Sequence, residues 1–166
     1  MTMVRILISS VMLLAIAANS GFAQRNSTTD TARVYSNSLV IQDSLNVQKQ
    51  VDNLQQLRAD LLTGKPTLAF FYYSVACSCT AAKCAIASAA IDSIPELNGN
   101  DDSLNFSKID AYLVPEAESL FNLMIMPAVV YYGKDGEEVN RIEWGTSREA
   151  IKRLIDHPEE QQEPID

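Results

Sequence analysis

Cys77, Cys79 and Cys84 are the residues of this 166-residue chain best suited to chemistry. Cys77 stands just after an apolar and aromatic run, residues 67–73, and just before an alanine-rich segment that begins at Ser78. That order predicts a strand leading directly into a helix. A thiol at the first turn of a helix faces backbone N–H groups that lack partners and the positive end of the helix dipole. Both favour the thiolate, which is the nucleophilic form of cysteine. Cys79 lies two residues on, close enough to close a disulfide across a small and strained ring, and a strained disulfide is more easily reduced. Thr80, three residues past Cys77, brings a hydroxyl to the same turn. Cys84 falls about 140° round an ideal helix from Cys79 and about 10 Å along the axis from Cys77, so an intact helix keeps it out of either disulfide. It shares a face with Thr80, Ala87 and Ile91 and reads as a small buried hydrophobe.

Other uses of these thiols are open at this level. A Cys77–Cys79 disulfide that only stiffens a turn closes too small a loop to remove much unfolded-state entropy. Soft-metal binding by Cys77, Cys79 and Cys84, with Met124 or Met126 nearby in the sequence, suits Cu(I). Zinc lacks a fourth strong ligand, since the one histidine is His157. No organic cofactor is implied.

The first 23 residues carry a single charge, Arg5, followed by a nearly unbroken apolar run from Ile6 to Ala18 and the small-residue stretch Gly21-Phe22-Ala23. This is the pattern of a secretory signal peptide, and its apolar run is short for a transmembrane helix. An uncleaved anchor is the competing reading. The expectation is therefore an exported protein, periplasmic or secreted, with no membrane span once the signal is removed. Its compartment would be oxidising, where three cysteines permit one internal disulfide and leave one thiol over. The chain has 13 Lys plus Arg against 21 Asp plus Glu, and losing Arg5 leaves a net charge of about −9. Such a balance excludes nucleic acid and anionic lipid surfaces as natural partners, because both need a basic footprint.

The elements that must position the cysteines follow from periodicity. With 47% hydrophobic and 20% charged residues, the chain suits one domain. Residues 24–38 are polar and read as a flexible leader. Leu39-Val40-Ile41 reads as a short first strand suited to an edge. Val47, Val51, Leu54, Leu57 and Leu61 recur at helical spacing, ending at Gly64 and Pro66. Residues 67–73 are apolar on both faces, as in a central strand covered on both sides. A helix from Ser78 to about Ile94, a polar loop over 98–102, a strand over 104–109 and a short helix over 115–123 follow. Residues 128–132 and 137–144 form a hairpin around Gly133-Lys134-Asp135-Gly136, and 147–156 a closing amphipathic helix. The acidic residues 158–166 read as a disordered tail. Strands alternating with helices, then a hairpin and a helix, give an α/β three-layer sandwich with a mixed sheet at its centre.

Over residues 39–157 this chain resembles the thioredoxin superfamily. The resemblance rests on Gly64-Lys65-Pro66-Thr67-Leu68-Ala69-Phe70-Phe71-Tyr72-Tyr73 leading to Cys77, and on Met126-Pro127-Ala128-Val129-Val130-Tyr131-Tyr132-Gly133-Lys134-Asp135-Gly136 fifty positions further on. It implies a thioredoxin-like fold, with Cys77 as attacking cysteine, Pro127 as the cis-proline beside the sulfur, and Met126 as the residue whose backbone pairs with a bound substrate. Thr80 occupies the place of the family's resolving cysteine, Cys79 sits between, Ala76 replaces the usual aromatic residue, and residues 68–73 hold no carboxylate. The resemblance thus implies a thiol–disulfide oxidoreductase acting on protein thiols and disulfides and recharged by a further redox partner. The departures favour an oxidant or isomerase over a general reductant. A thioredoxin-like copper carrier and a non-catalytic interaction domain are the alternatives.

Overall fold

Phe70 and Phe71, adjacent in sequence and both fully buried, point into two different cores. In the computed structural model, which describes residues 30–97 and 102–160, they lie on strand β1 (Thr67–Tyr72) at the middle of a four-stranded sheet. The elements run α1 (Asp30–Asp60), β1, α2 (Ser78–Asp92), a 3-10 turn (Pro95–Leu97), β2 (Asn105–Asp110), α3 (Glu116–Leu120), β3 (Ala128–Tyr132), β4 (Glu138–Glu143) and α4 (Arg148–Asp156). The sheet order is β2-β1-β3-β4. β2 is parallel to β1, whereas β3 is antiparallel to both β1 and β4. Side chains alternate across a strand, so Leu68 and Phe70 pack with Ala87, Ile91, Ile151 and Leu154 from α2 and α4. Ala69 and Phe71 pack on the other face with Leu54, Leu57 and Ala117 from α1 and α3. Each large side chain buried in this way contributes about 1.5–3 kcal/mol. The sheet between two helical layers is a thioredoxin-like α/β fold.

Two expectations for the N-terminal part are corrected. Leu39-Val40-Ile41 is not a strand but lies within α1, and the residues from Asp30 that were expected in a flexible leader are helical as well. The interval from Asp30 to Asp60 contains neither glycine nor proline, and lengthening an existing helix costs far less than nucleating one. Three β-branched or apolar residues offer too few ladder bonds to compete, and both edges of β1 are already taken by β2 and β3. Polar pairs four residues apart support the helix surface, at 3.4 Å for Gln42 to Asn46, 2.9 Å for Gln48 to Asp52 and 2.7 Å for Gln56 to Asp60. The signal segment and residues 24–29 lie outside the described residues, as do 98–101 of the polar loop.

At the C-terminal end, the first residues of the acidic tail are held rather than free. Asn140 Nδ2 on β4 donates to the carbonyls of Pro158 and Glu160 at 2.9 and 2.8 Å. Residues 161–166 lie outside the described residues.

Gly64 and Gly136 both adopt left-handed backbone conformations, with φ of 76° and 78°. Their surroundings differ. A Cβ at Gly64 meets open space, whereas one at Gly136 falls 2.4 Å from the Leu61 carbonyl oxygen, where the β3–β4 turn presses on the end of α1. Gly64→Ala is expected to cost about 1 kcal/mol, for conformation alone. Gly136→Ala should cost roughly 2–4 kcal/mol, since backbone must also move. Urea denaturation of the two variants checks this, and equal losses would contradict the close packing of turn on helix.

Candidate functional site

The connection from β1 to α2 brings Cys77 to the surface at one end of the sheet. Asp110, the last residue of β2, organises that connection. It is 2% exposed, and its Oδ1 accepts the backbone N–H groups of Ser74 at 3.1 Å and Tyr112 at 3.2 Å. Its own N–H donates to Gln50 Oε1 at 2.9 Å, tying the same point to α1. The Ala111 N–H donates to the Tyr72 carbonyl at 2.9 Å and extends the pairing of β1 with β2 past the strand ends. A buried carboxylate between two amides fixes the chain three residues before the cysteine. Sequence reasoning missed Asp110. Its one signal is an acidic residue closing a strand of mixed polar and apolar residues, a signal shared by many strand ends.

Cys77 is the N-cap of α2, with extended backbone at φ −60° and ψ 158°. Its carbonyl accepts the Ala81 N–H at 2.9 Å and starts the helix ladder. Its sulfur lies 3.2 Å from Cys79 Sγ and 3.3 Å from Thr80 Oγ1. The first distance is well beyond a disulfide bond of about 2.05 Å, and all three cysteines are free. The side chain makes no short capping bond. The hydroxyl and the backbone amide of Thr80, followed by the Cys79 thiol, nevertheless face the sulfur and hold its pKa down, from 9.0 to about 7. Favourable donors outweigh the small opposing effect of desolvation there. The lowered value favours the thiolate at neutral pH relative to an ordinary cysteine.

Cys84 stands apart from this pair. It is 4% exposed and shares the inward face of α2 with Ala87 and Ile91. Among the described residues no group of three or more His, Cys, Asp or Glu side chains converges on a point that could hold a metal ion. Of the three thiols considered for copper, α2 thus turns Cys84 inward and leaves Cys77 and Cys79 at the surface.

The Met126–Pro127 peptide bond is cis. Phe71 pairs with Ala128 in the β1–β3 ladder, so Pro127 precedes the strand at the same end of the sheet from which the chain leaves β1 toward Cys77. Met126 is buried, whereas Met124 is exposed. The Pro127 carbonyl accepts the Trp144 N–H at 3.0 Å. A second unforeseen residue supports this loop. Arg141 on β4 donates from Nη1 to the Asn122 carbonyl at 2.9 Å and from Nη2 to the Phe121 carbonyl at 3.2 Å. Its guanidinium also pairs with Glu138 and Glu143, which raise its pKa and keep it charged.

A cavity of about 530 Å³ opens beside Cys77, lined by Tyr73, Val75, Thr80, Tyr112 and Glu118 among others. Exposed apolar side chains cluster at this end of the chain's fold, Val75 and Tyr112 in the cavity wall and Ile125 next to Met126. Among the described residues no helix is long and apolar enough to cross a membrane.

No family model matches the chain, and no curated protein matches it in sequence. Solved structures similar to it include a cysteine-to-serine mutant of the thioredoxin of Entamoeba histolytica, 27% identical, with 62% of this chain aligned to 91% of that one at a TM-score of 0.49. The oxidised mitochondrial thioredoxin 3 of Saccharomyces cerevisiae is 20% identical, over 62% of this chain and 88% of its own, also at 0.49. The oxidised thioredoxin of Plasmodium falciparum is 18% identical, over 64% and 92%, again at 0.49.

The Thr80 contact makes a measurable claim. The thiolate fraction of Cys77 rises as pH rises through its pKa, so its alkylation rate should climb with a midpoint of about 7. Thr80→Val removes the hydroxyl and leaves the amide, and the midpoint should move upward. Iodoacetamide kinetics with peptide mapping between pH 5 and 10 reads both values. A midpoint near 9 in the parent protein, or no movement in the variant, would refute the assignment.

Proposed function

We propose that this chain is a thiol–disulfide oxidoreductase acting on polypeptide substrates. The observation that carries the reading is the pair of contacts at the start of α2, where Cys77 Sγ lies 3.2 Å from a second thiol and 3.3 Å from the Thr80 hydroxyl. A lowered thiol pKa gives a nucleophile at neutral pH, and a neighbouring thiol gives a way out of the covalent intermediate.

In the reductive direction, the Cys77 thiolate attacks one sulfur of a substrate disulfide. A Cys77–substrate disulfide forms, and the other substrate sulfur leaves as a thiolate that takes a proton from solvent. Cys79, once deprotonated, attacks Cys77 Sγ and forms the Cys77–Cys79 disulfide. The first substrate sulfur then leaves as thiolate. The substrate gains two electrons and the pair loses two. Run backwards, the same steps oxidise a substrate dithiol. Thr80 stabilises the Cys77 thiolate whenever it is the leaving group, and Met126 and Pro127 shape the adjoining edge where a substrate chain lies.

Two features favour the oxidising or isomerising direction. The two-residue spacing of the cysteines makes a small ring whose closure is disfavoured. β1 also carries no carboxylate to accept the proton of Cys79. Net oxidation changes the pair by two electrons per turnover, so a second redox protein must restore it; isomerisation needs none. The signal-like first 23 residues support work in an exported, oxidising compartment.

The test is kinetic trapping. Cys79→Ser should accumulate a mixed disulfide with a disulfide-bonded peptide, mapped to Cys77 by mass spectrometry, whereas Cys77→Ser should form none. Adduct on Cys84, or equal adduct on both variants, would overturn the proposal.

A further inference from the structure

The cavity beside Cys77 has walls of two kinds. Val75, Ala76, Ala111 and Pro115 supply an apolar side, and Tyr73 and Tyr112 add aromatic surface. Its charged lining residue, apart from the Cys77 thiolate, is Glu118. Glu118 is not loose. Its Oε1 accepts a 2.8 Å hydrogen bond from the Tyr73 hydroxyl, across forty-five positions of sequence. Burial, and then that hydrogen bond, push the Tyr73 phenol up to about 12, so the tyrosine remains a donor over the whole physiological range. The carboxyl group is thus held in place through Oε1, with Oε2 left over for a ligand. No lysine or arginine lines the cavity, and the chain as a whole carries a net charge of −8.

Apolar and aromatic walls next to a fixed carboxylate match a long aliphatic stem that ends in a cation. Cys77 and Thr80 line this opening themselves, so a substrate cysteine joined to Cys77 brings its neighbouring residues beside it. We propose that the cavity receives a lysine or arginine side chain adjacent to the substrate cysteine, its stem against Val75 and Pro115 and its charge on Glu118. The inference rests on the proposed thiol–disulfide exchange and defines its substrate class, cysteines flanked by basic residues.

Exchange rates with small peptides test it. Peptides carrying lysine, norleucine or glutamate beside a cysteine linked to thionitrobenzoate are mixed with Cys79→Ser protein, and thionitrobenzoate release is followed by absorbance. Rates are divided by those with glutathione, which removes the intrinsic reactivity of each peptide. At low ionic strength the lysine peptide should react about 2- to 5-fold faster than the norleucine peptide, as a partly exposed ion pair allows. The advantage should shrink with added salt. Glu118→Gln, which keeps the shape and the tyrosine hydrogen bond, should abolish the preference. Glu159→Gln, a charge change at the far tail, should preserve it. Equal normalised rates in the parent protein, or a preference that survives Glu118→Gln, would overturn the cavity assignment. No release from any peptide would instead overturn the exchange reaction on which it rests.

Discussion

Everything at the site depends on β1 being buried on both faces and paired on both edges. A strand so enclosed has no freedom to shift register, because a slip of one residue would exchange Phe70 and Phe71 between two filled cores. Its end point is therefore fixed by the packing, and the four residues that lead on to Cys77 start from a set position. The surface location of the cysteine is a consequence of core packing two layers deep. In this sense the sulfur is presented from the end of a strand enclosed on both faces and both edges, which suits a precisely placed nucleophile.

Two polar anchors extend that rigidity beyond the strands. Asp110 gathers the Ser74 and Tyr112 amides on its buried carboxylate and gives its own backbone N–H to Gln50, joining the cysteine connection to β2 and α1. Arg141 holds the carbonyls of Phe121 and Asn122 ahead of Met126 and Pro127. Asn122 has a left-handed backbone, with φ of 49°, so its carbonyl is turned out of the usual ladder and meets the guanidinium instead. Neither anchor touches the sulfur. Each sets the position of a segment that the proposed exchange uses, one on either side of the end of β1.

Much of this was legible in the sequence. The unbroken apolar character of residues 67–73 marked a central strand, and the alanine-rich run after Cys77 marked a helix, so the cysteine's place at their junction followed. Gly64 and Gly136 marked two turns, and both adopt positive φ. The error at Leu39-Val40-Ile41 has a physical source. A three-residue apolar run carries almost no period, whereas a thirty-one-residue interval without helix breakers decides the outcome by propagation. Asp110, Arg141 and the Tyr73–Glu118 pair were illegible for another reason. Each works by meeting a group tens of residues away, and single-residue chemistry does not encode such meetings before the fold is known. The spread of the three thiols was partly legible, since helical geometry alone separated Cys84 from Cys77 and Cys79.

The central claim is that Cys77 and Cys79 form one reversible couple while Cys84 stays out of it. Equilibration of the folded protein with glutathione buffers of graded potential, followed by acid quench and thiol counting by mass spectrometry, measures this directly. The account predicts a two-electron transition in which Cys77 and Cys79 lose their thiols together and Cys84 remains reduced throughout. A pair that stays unlinked at every potential, or a linkage that includes Cys84, would contradict it.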